Sequence, residues 1–200
     1  MLFVYYCYYI VLTRYYNALN QNPLKRLMTR KKIISFIAVA ALIAASVYYF
    51  YPETNFPAGT KIDELIVLKS ERKLLAYSNG KLIKTYTIAL GRSPEGDKEY
   101  EGDKKTPEGT YTINDKNSRS AYHKNLGISY PNADDIRHAK SLGESPGGAI
   151  KIHGLRNGTG IISKFHRWFD WTMGCVAVTD KEMDELYDAV PVGTPIEIRP

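Results

Sequence analysis

The 200-residue chain has only two cysteines, Cys7 and Cys175. This excludes the disulfide framework that holds many small secreted domains together. No two of its four histidines have the i,i+4 spacing of zinc sites, and its two cysteines do not form a Cys-x-x-Cys motif. There is also no glycine-rich phosphate loop and no carboxylate pair of the glycosidase type. We therefore expect neither a metal nor an organic cofactor, and the chemistry that is left is that of a single thiol.

Acidic residues are absent from residues 1–51, which carry six basic residues. Residues 52–200 carry 21 basic and 21 acidic residues, so the net charge of +6 comes from the N-terminal quarter alone. A nucleic-acid-binding domain would carry a basic surface of its own. The charge distribution therefore indicates membrane topology and excludes nucleic acid as a partner.

Charge is also missing from residues 33–51, an apolar run of 19 residues that Pro52 ends. As a helix this run spans roughly 28 Å, close to the ~30 Å hydrocarbon core of a bilayer. Arg30, Lys31 and Lys32 precede it, and the positive-inside rule places that flank in the cytoplasm. The pattern predicts a cytoplasmic segment 1–32, a single-pass transmembrane helix 33–51 and an extracytoplasmic remainder.

Two further expectations concern the N-terminus. We expect translation to begin at Met28, because residues 28–51 form an ordinary export signal, whereas residues 1–27 are too interrupted to span a bilayer. A cleavable signal ending near residues 44–46 is the alternative to an uncleaved anchor. Cleavage is less favoured because the apolar run continues past this site.

Beyond a short linker, residues 52–61, the chain is dominated by short strand-like runs. Asn79-Gly80 separates two of them and predicts a two-residue hairpin turn. Short helices are expected over residues 134–142, capped by Asn132, and over residues 181–189, capped by Thr179. Helix and strand patterns compete over residues 161–169. The sequence predicts one mainly β domain, residues 62–199, folded as a sandwich or barrel with two or three short helices.

The thiol lies in a setting that suits a nucleophile. Cys175 ends the sequence Thr172-Met173-Gly174-Cys175, and His153-Gly154 lies 22 positions before the cysteine. A thiol with a pKa of ~8.5 is mostly protonated at neutral pH, and an imidazole can accept its proton. Gly174 permits a tight turn whose backbone N–H groups could stabilise an oxyanion. The alternative is a buried cysteine that only packs.

These two motifs resemble the catalytic motif of the L,D-transpeptidases (YkuD type), in the branch that carries Asp-Trp-Thr-x-Gly-Cys. Further segments resemble the same family in the same order along the chain: residues 105–111, 126–132, 145–148, 170–172 and 192–195. Together these segments cover almost the whole predicted domain.

The resemblance implies bacterial cell-wall biosynthesis in the periplasm, with the domain anchored to the inner membrane. In the family, the cysteine attacks the third residue of a peptidoglycan stem tetrapeptide, commonly meso-diaminopimelate, and releases D-Ala. An amine acceptor then completes a crosslink or attaches a protein to the wall, and such a wall-attached protein is a possible partner. Water is the other acceptor, which would make the enzyme an L,D-carboxypeptidase or amidase. A catalytically silent wall-binding module is the remaining alternative.

The resemblance also assigns roles. Cys175 would be the nucleophile, His153 the proton acceptor, the Gly154 carbonyl the group that orients the imidazole, and Gly174 part of the oxyanion site. Met173 and Ala177 depart from the family pattern and leave the acceptor open. The candidate substrate contacts, each with a purely structural alternative, are Thr172, Met173, Tyr130, Ser129, His123 and Arg156.

Overall fold

The computed structural model describes residues 23–57 and 59–200, and the chain divides into two compact units, Met1–Tyr51 and Pro52–Pro200. In the first unit, helix α1 spans Pro23–Phe50. Its portion Thr29–Phe50 is long and apolar enough to cross a membrane. The expected span 33–51 lies within this helix except for Tyr51. The expectations for residues 1–22 fall outside the described residues.

The second unit is built on one eight-stranded sheet. The strands are β1 Glu64–Leu68, β2 Lys73–Ser78, β3 Lys81–Thr87, β4 Gly109–Ser120, β5 His123–Ile128, β6 Lys151–His153, β7 Val176–Ala177 and β8 Pro195–Arg199. Their order in the sheet is β3-β2-β1-β8-β4-β5-β6-β7. Two strand pairs, β1 with β8 and β6 with β7, are parallel, and the other pairs are antiparallel. The mainly β fold with few helices is confirmed.

Strand β4 joins the two halves of the sheet. Its first four residues pair with β8, and the residues from Ile113 onward pair with β5. This strand runs to Ser120, and the sequence pattern does not predict β5. The pairing extends the sheet toward β6 and β7, which carry the two chemical motifs.

The structure contains the hairpin turn and the helix caps that short sequence motifs predict. Asn79 and Gly80 both have positive φ, 51° and 71°, as the hairpin turn requires. Helix α2, Ala133–Ser141, is capped by Asn132, and helix α3, Asp180–Ala189, by Thr179, each with a full capping box. The ambiguous segment is a 3₁₀ helix, Gly160–Trp168, interrupted at Ser163.

The core lies between the sheet and α3, whose Met183 and Leu186 are fully buried. Residues expected to form a linker also pack against this unit. The ring of Phe56 meets the edge of Tyr86 at a centroid distance of 6.1 Å, and Glu53 accepts a hydrogen bond from Arg167 at 3.0 Å. Side-chain contacts within the second unit therefore begin before residue 62.

Candidate active site

Strands β6 and β7 place Cys175 and His153 on one face of the sheet. Ile152 pairs with Val176, and His153 pairs with Ala177. Cys175 precedes β7 and lies two positions from the partner of His153, so both side chains point to the same face. Both residues line one cavity of about 750 Å³. The structure thus brings the predicted nucleophile and base to a common site.

The turn before Cys175 is held by a threonine hydroxyl. Thr172 Oγ1 accepts the N–H of Gly174 at 3.1 Å and donates to the carbonyl oxygen of Cys175 at 2.8 Å. Gly174 has a φ of 128°, and a Cβ there would lie 2.6 Å from the carbonyl oxygen of Lys105. Only glycine fits this close approach with that φ.

These bonds bear on two predictions. The N–H of Gly174 already has an acceptor in the side chain of Thr172. The hydroxyl of Thr172 is buried and engaged on both sides, so in this structure it shapes the turn. The roles of Gly174 at the oxyanion site and of Thr172 as a substrate contact stay predictions. Met173, in contrast, is exposed and lines the cavity, as does Arg156.

His153 is buried and held by its own neighbour. Its Nδ1 lies 2.7 Å from the carbonyl oxygen of Gly154, which can only accept, so Nδ1 carries the proton. Nε2 is then the basic nitrogen. The rings of Tyr122 and Trp171 pack against the imidazole at centroid distances of 4.7 and 5.6 Å. Burial lowers the pKa of His153, and the hydrogen bond to Gly154 opposes this only in part.

Cys175 is partly exposed, and its thiol donates a weak hydrogen bond to the carbonyl oxygen of Ala149 at 3.6 Å. Burial raises the pKa of the Cys175 thiol, and the backbone N–H and positive charge of Lys151 oppose that rise. With the imidazole pKa lowered and the thiol pKa raised, the resting pair is neutral thiol and neutral imidazole. A preformed thiolate–imidazolium pair is therefore disfavoured at this site.

The cavity wall combines positive charge with apolar surface. Among its described lining residues no side chain is acidic, and the basic side chains are Arg92, Arg119, Lys151 and Arg156. Ile162, Phe169 and Met173 line it with exposed apolar surface. Within the described residues, no three His, Cys, Asp or Glu side chains are grouped to hold a metal ion. The site suits an anionic organic ligand.

Three predicted substrate contacts lie outside the cavity lining, and each has a structural partner instead. Ser129 Oγ accepts the N–H of Thr112 at 2.9 Å, which ties it to β4. Tyr130 is buried, and its hydroxyl donates to the carbonyl oxygen of Pro146. His123 Nε2 lies 2.7 Å from Asp184 Oδ1. The structure therefore does not bring Ser129, Tyr130 and His123 into the cavity lining, and their roles as substrate contacts stay predictions.

Sequence reasoning gave no substrate role to several lining residues. Asn125 lies on the unpredicted β5, directly opposite His153. Tyr122 lies in the turn just before that strand. His166 comes from the 3₁₀ segment. The position of Lys151 at the site could have been predicted from the sequence, because it lies two residues before His153 on a strand and therefore shares its face.

Comparisons with known proteins agree with this geometry. Residues 63–198 match the family model of the L,D-transpeptidase catalytic domain (YkuD). YafK of Escherichia coli (strain K12), itself assigned to the L,D-transpeptidases only provisionally, is 30% identical over 130 residues. That match covers 62% of this chain and 45% of YafK, so this chain spans about half the length of that relative.

Solved structures show the same fold. The helical cell shape determining protein Pgp2 from Campylobacter jejuni superposes with a TM-score of 0.53 at 24% identity, over 73% of this chain and 50% of that one. Bd1075 from Bdellovibrio bacteriovorus gives a TM-score of 0.50 at 25% identity, over 72% of this chain and 49% of that one. Because the family model covers most of the chain and the matched region contains both chemical motifs, the protein belongs to the L,D-transpeptidase (YkuD) family.

Proposed function

We propose that this protein is a cysteine acyltransferase that acts on peptidoglycan stem tetrapeptides. The observation that carries the proposal is the pairing of β6 with β7. It sets Cys175 and His153 on one face of one cavity, with His153 Nδ1 held by the Gly154 carbonyl. A thiol beside an imidazole of fixed tautomer is the arrangement that nucleophilic catalysis requires.

In the proposed reaction, Cys175 Sγ attacks the carbonyl carbon of the third stem residue while His153 Nε2 takes the thiol proton. The tetrahedral oxyanion collapses to a thioester, and the amide bond to the terminal D-Ala breaks. His153 returns its proton to the leaving amine. An amine acceptor then attacks the thioester, His153 takes the acceptor's proton, and the thiol is restored.

The oxyanion needs donors that are not already engaged. We assign this role to the backbone N–H groups of Met173 and Cys175, because the N–H of Gly174 donates to Thr172. Backbone donors in a tight turn are fixed before the reaction, so they stabilise the developing charge without reorganisation.

The products decide between transfer and hydrolysis. The full-length protein in detergent micelles would be incubated with disaccharide-tetrapeptide, and the products followed by mass spectrometry. Crosslinked dimers with release of D-Ala are the expected result. Disaccharide-tripeptide alone would identify a hydrolase. Binding without turnover would identify a silent wall-binding module.

Variants at the two central residues test their roles. Cys175→Ala should abolish covalent adducts with a carbapenem, and an adduct that persists would locate the nucleophile elsewhere. His153→Ala should slow acylation by roughly 10²–10⁴-fold, the usual contribution of general-base catalysis. Acylation at the wild-type rate would remove His153 from the mechanism.

We further propose that α1 anchors the protein in the inner membrane with residues 52–200 in the periplasm. Arg30, Lys31 and Lys32, near the start of the apolar portion of α1, support this orientation. A membrane-impermeant maleimide can test the topology with one thiol on each side of the apolar run 33–51. Because translation is expected to begin at Met28, the cytoplasmic thiol is introduced by Thr29→Cys in Cys7→Ser/Cys175→Ser protein. In cells with a permeabilised outer membrane, Cys7→Ser protein should be labelled at Cys175, whereas the Thr29→Cys protein should stay unlabelled until the inner membrane is opened.

A further inference from the structure

Two buried polar atoms in the cavity wall have no hydrogen-bond partner among the described residues: Nε2 of His166 and Oδ1 of Asn125. His166 is 3% exposed and Asn125 is 4% exposed, and both line the cavity that contains Cys175. Buried polar groups in native proteins are nearly always paired, and an unpaired one costs about 1–3 kcal/mol. A bound ligand would supply the missing partners.

The hydrogen bond that His166 Nδ1 accepts determines whether Nε2 is a donor or an acceptor. Trp171 Nε1–H donates to His166 Nδ1 at 3.4 Å, and an indole N–H can only donate, so Nδ1 is unprotonated. The proton of the neutral ring is therefore on Nε2. Burial, together with the charge of Arg167, lowers the pKa of His166 to about 3, so the ring stays neutral at neutral pH. His166 thus offers one N–H donor that lacks an acceptor.

The surrounding charge indicates which acceptor fits. Among the described residues that line the cavity, four side chains are basic and none is acidic. No ion pair within the described residues involves Arg119 or Arg156, and Lys151 reaches Asp115 only at 3.8 Å. Positive charge of this kind favours an anionic acceptor over a neutral carbonyl, and hydrogen bonds to ionised groups are about twice as strong. The unpaired Asn125 Oδ1 can accept an N–H of the same ligand.

We propose that His166 Nε2–H donates a hydrogen bond to a free carboxylate of the bound stem peptide. The cavity then prefers stem peptides whose carboxyl groups are not amidated. This inference rests on the proposed function, since it names the form of the substrate that the same site takes. A carboxamide in that place loses the negative charge and brings N–H groups toward a wall of cations and donors. His166 is here a specificity residue and takes no part in bond making.

Matched substitutions separate the two nitrogens of His166. His166→Asn keeps an acceptor near the Nδ1 position for Trp171 and removes the donor at Nε2. His166→Gln restores a donor close to the Nε2 position. If His166 serves only the fold, the Asn variant should retain more of the parent's affinity for the peptide than the Gln variant. If His166 binds the ligand, the Gln variant should retain more.

The experiment measures Kd by calorimetry for the full-length protein in detergent micelles, in a Cys175→Ala background that prevents turnover. The ligands are disaccharide-tetrapeptide with all carboxyl groups free and the same compound amidated at one carboxyl at a time. Amidation at one position should raise Kd roughly 10- to 100-fold. His166→Asn should raise Kd for the free peptide by a similar factor and leave the amidated one nearly unchanged, while His166→Gln stays within about fivefold of the parent.

With Cys175 present, His166→Asn should raise KM and leave kcat near its parent value, because the lost hydrogen bond is made in ground state and transition state alike. Equal affinity for free and amidated peptides, or an Asn variant that discriminates like the parent, would overturn the inference and leave the proposed function intact. Absence of any binding to stem tetrapeptides would overturn both.

Discussion

The hydroxyl of Thr172 donates to the carbonyl oxygen of Cys175 at 2.8 Å, and the hydroxyl oxygen of Thr172 accepts the N–H of Gly174 at 3.1 Å. One side chain therefore fixes the backbone on both sides of the proposed nucleophile. The bond is local, spanning three residues, and it links the sequence Thr-x-Gly-Cys directly to the geometry of the thiol.

Replacing Thr172 by valine tests the contribution of these two hydrogen bonds. The isosteric side chain leaves a buried N–H and a carbonyl unpaired, so we expect the free energy of unfolding to fall by about 1–3 kcal/mol. Displacement of the thiol should slow carbapenem acylation of Cys175 by roughly 10- to 100-fold. Thr172→Ser keeps the hydroxyl and serves as the control. Equal acylation rates in the valine and serine variants would show that the turn holds without the hydroxyl.

The protonation state of the pair predicts how alkylation of Cys175 depends on pH. Burial lowers the pKa of His153 and raises that of the Cys175 thiol. A preformed thiolate–imidazolium pair is therefore disfavoured, and the thiolate forms only as pH rises through the raised thiol pKa. The rate of iodoacetamide alkylation should climb above pH 9 without a plateau at acidic pH. A flat profile from pH 5 to 8 would indicate an ion pair and contradict this picture.

The close approach at Gly174 predicts a severe effect of one methyl group. In Gly174→Ala, the Cβ would lie 2.6 Å from the backbone oxygen of Lys105 at a φ of 128°, so strain and overlap add. We expect a loss of about 2–5 kcal/mol in unfolding free energy and no measurable acylation. Gly143 also has a positive φ, 77°, but nothing within 4 Å of a Cβ.

Gly143→Ala therefore isolates the backbone cost, expected at about 1 kcal/mol, from the steric cost. Denaturant unfolding of both variants gives the comparison. Similar losses in the two variants would mean that the contact with Lys105 relaxes easily.

His123 should matter for stability and not for catalysis. Burial raises the pKa of Asp184, but hydrogen bonds from Lys124 and His123 outweigh it, and the net pKa lies below the ordinary value of 3.8. A carboxyl group whose pKa is lower in the folded than in the unfolded state stabilises the fold at pH values above the unfolded-state pKa. That stabilisation is lost as the pH falls through the folded-state pKa. Because Asp184 is half exposed, His123→Ala should cost less than about 1 kcal/mol near neutral pH.

Kinetics provide the other half of the His123 test. With stem tetrapeptide as substrate, His123→Ala should keep kcat/KM within about twofold of the wild-type value, because the residue lies outside the cavity lining. A tenfold fall in kcat/KM would return His123 to the substrate site.

Short-range features were predictable because neighbours in the sequence determine them. The hairpin turn at Asn79-Gly80 and the cap at Thr179 depend on a few adjacent residues, and the structure has both. Pairing between distant segments decided the rest. Asn125 faces His153 only because β5 pairs with β6, and the first half of β5, residues 123–125, has no apolar residue that would indicate a strand.

The same limit explains the substrate contacts. Ser129 and Tyr130 lie in a family-like segment, yet their partners, Thr112 and Pro146, come from distant parts of the chain and turn them away from the cavity. For His166 the sequence shows a histidine in a mixed segment, between Phe165 and Arg167. Only the fold shows that Nδ1 accepts from Trp171 and that Nε2 has no hydrogen-bond partner among the described residues.

The N-terminal boundary of the folded domain gives the last prediction. Residues 52–57 pack on the domain through Phe56, which meets Tyr86, and through Glu53, which binds Arg167. A fragment of residues 62–200 loses both contacts and leaves Arg167, whose side chain is 8% exposed, with Glu182 as its remaining ion-pair partner among the described residues. We expect it to be about 2–3 kcal/mol less stable than a fragment of residues 52–200, or roughly 5–10 °C lower in Tm.

Phe56→Ala in the longer fragment apportions this difference. The Phe56→Ala substitution should account for about half of the stability difference between the two fragments, because a partly buried phenylalanine contributes on the order of 1–2 kcal/mol. Thermal unfolding followed by circular dichroism measures all three proteins under one condition. Should the two fragments unfold at the same temperature, residues 52–61 would be the free linker that composition alone suggests. A difference would instead make this segment part of the fold, so that the domain begins directly after the unit that contains α1.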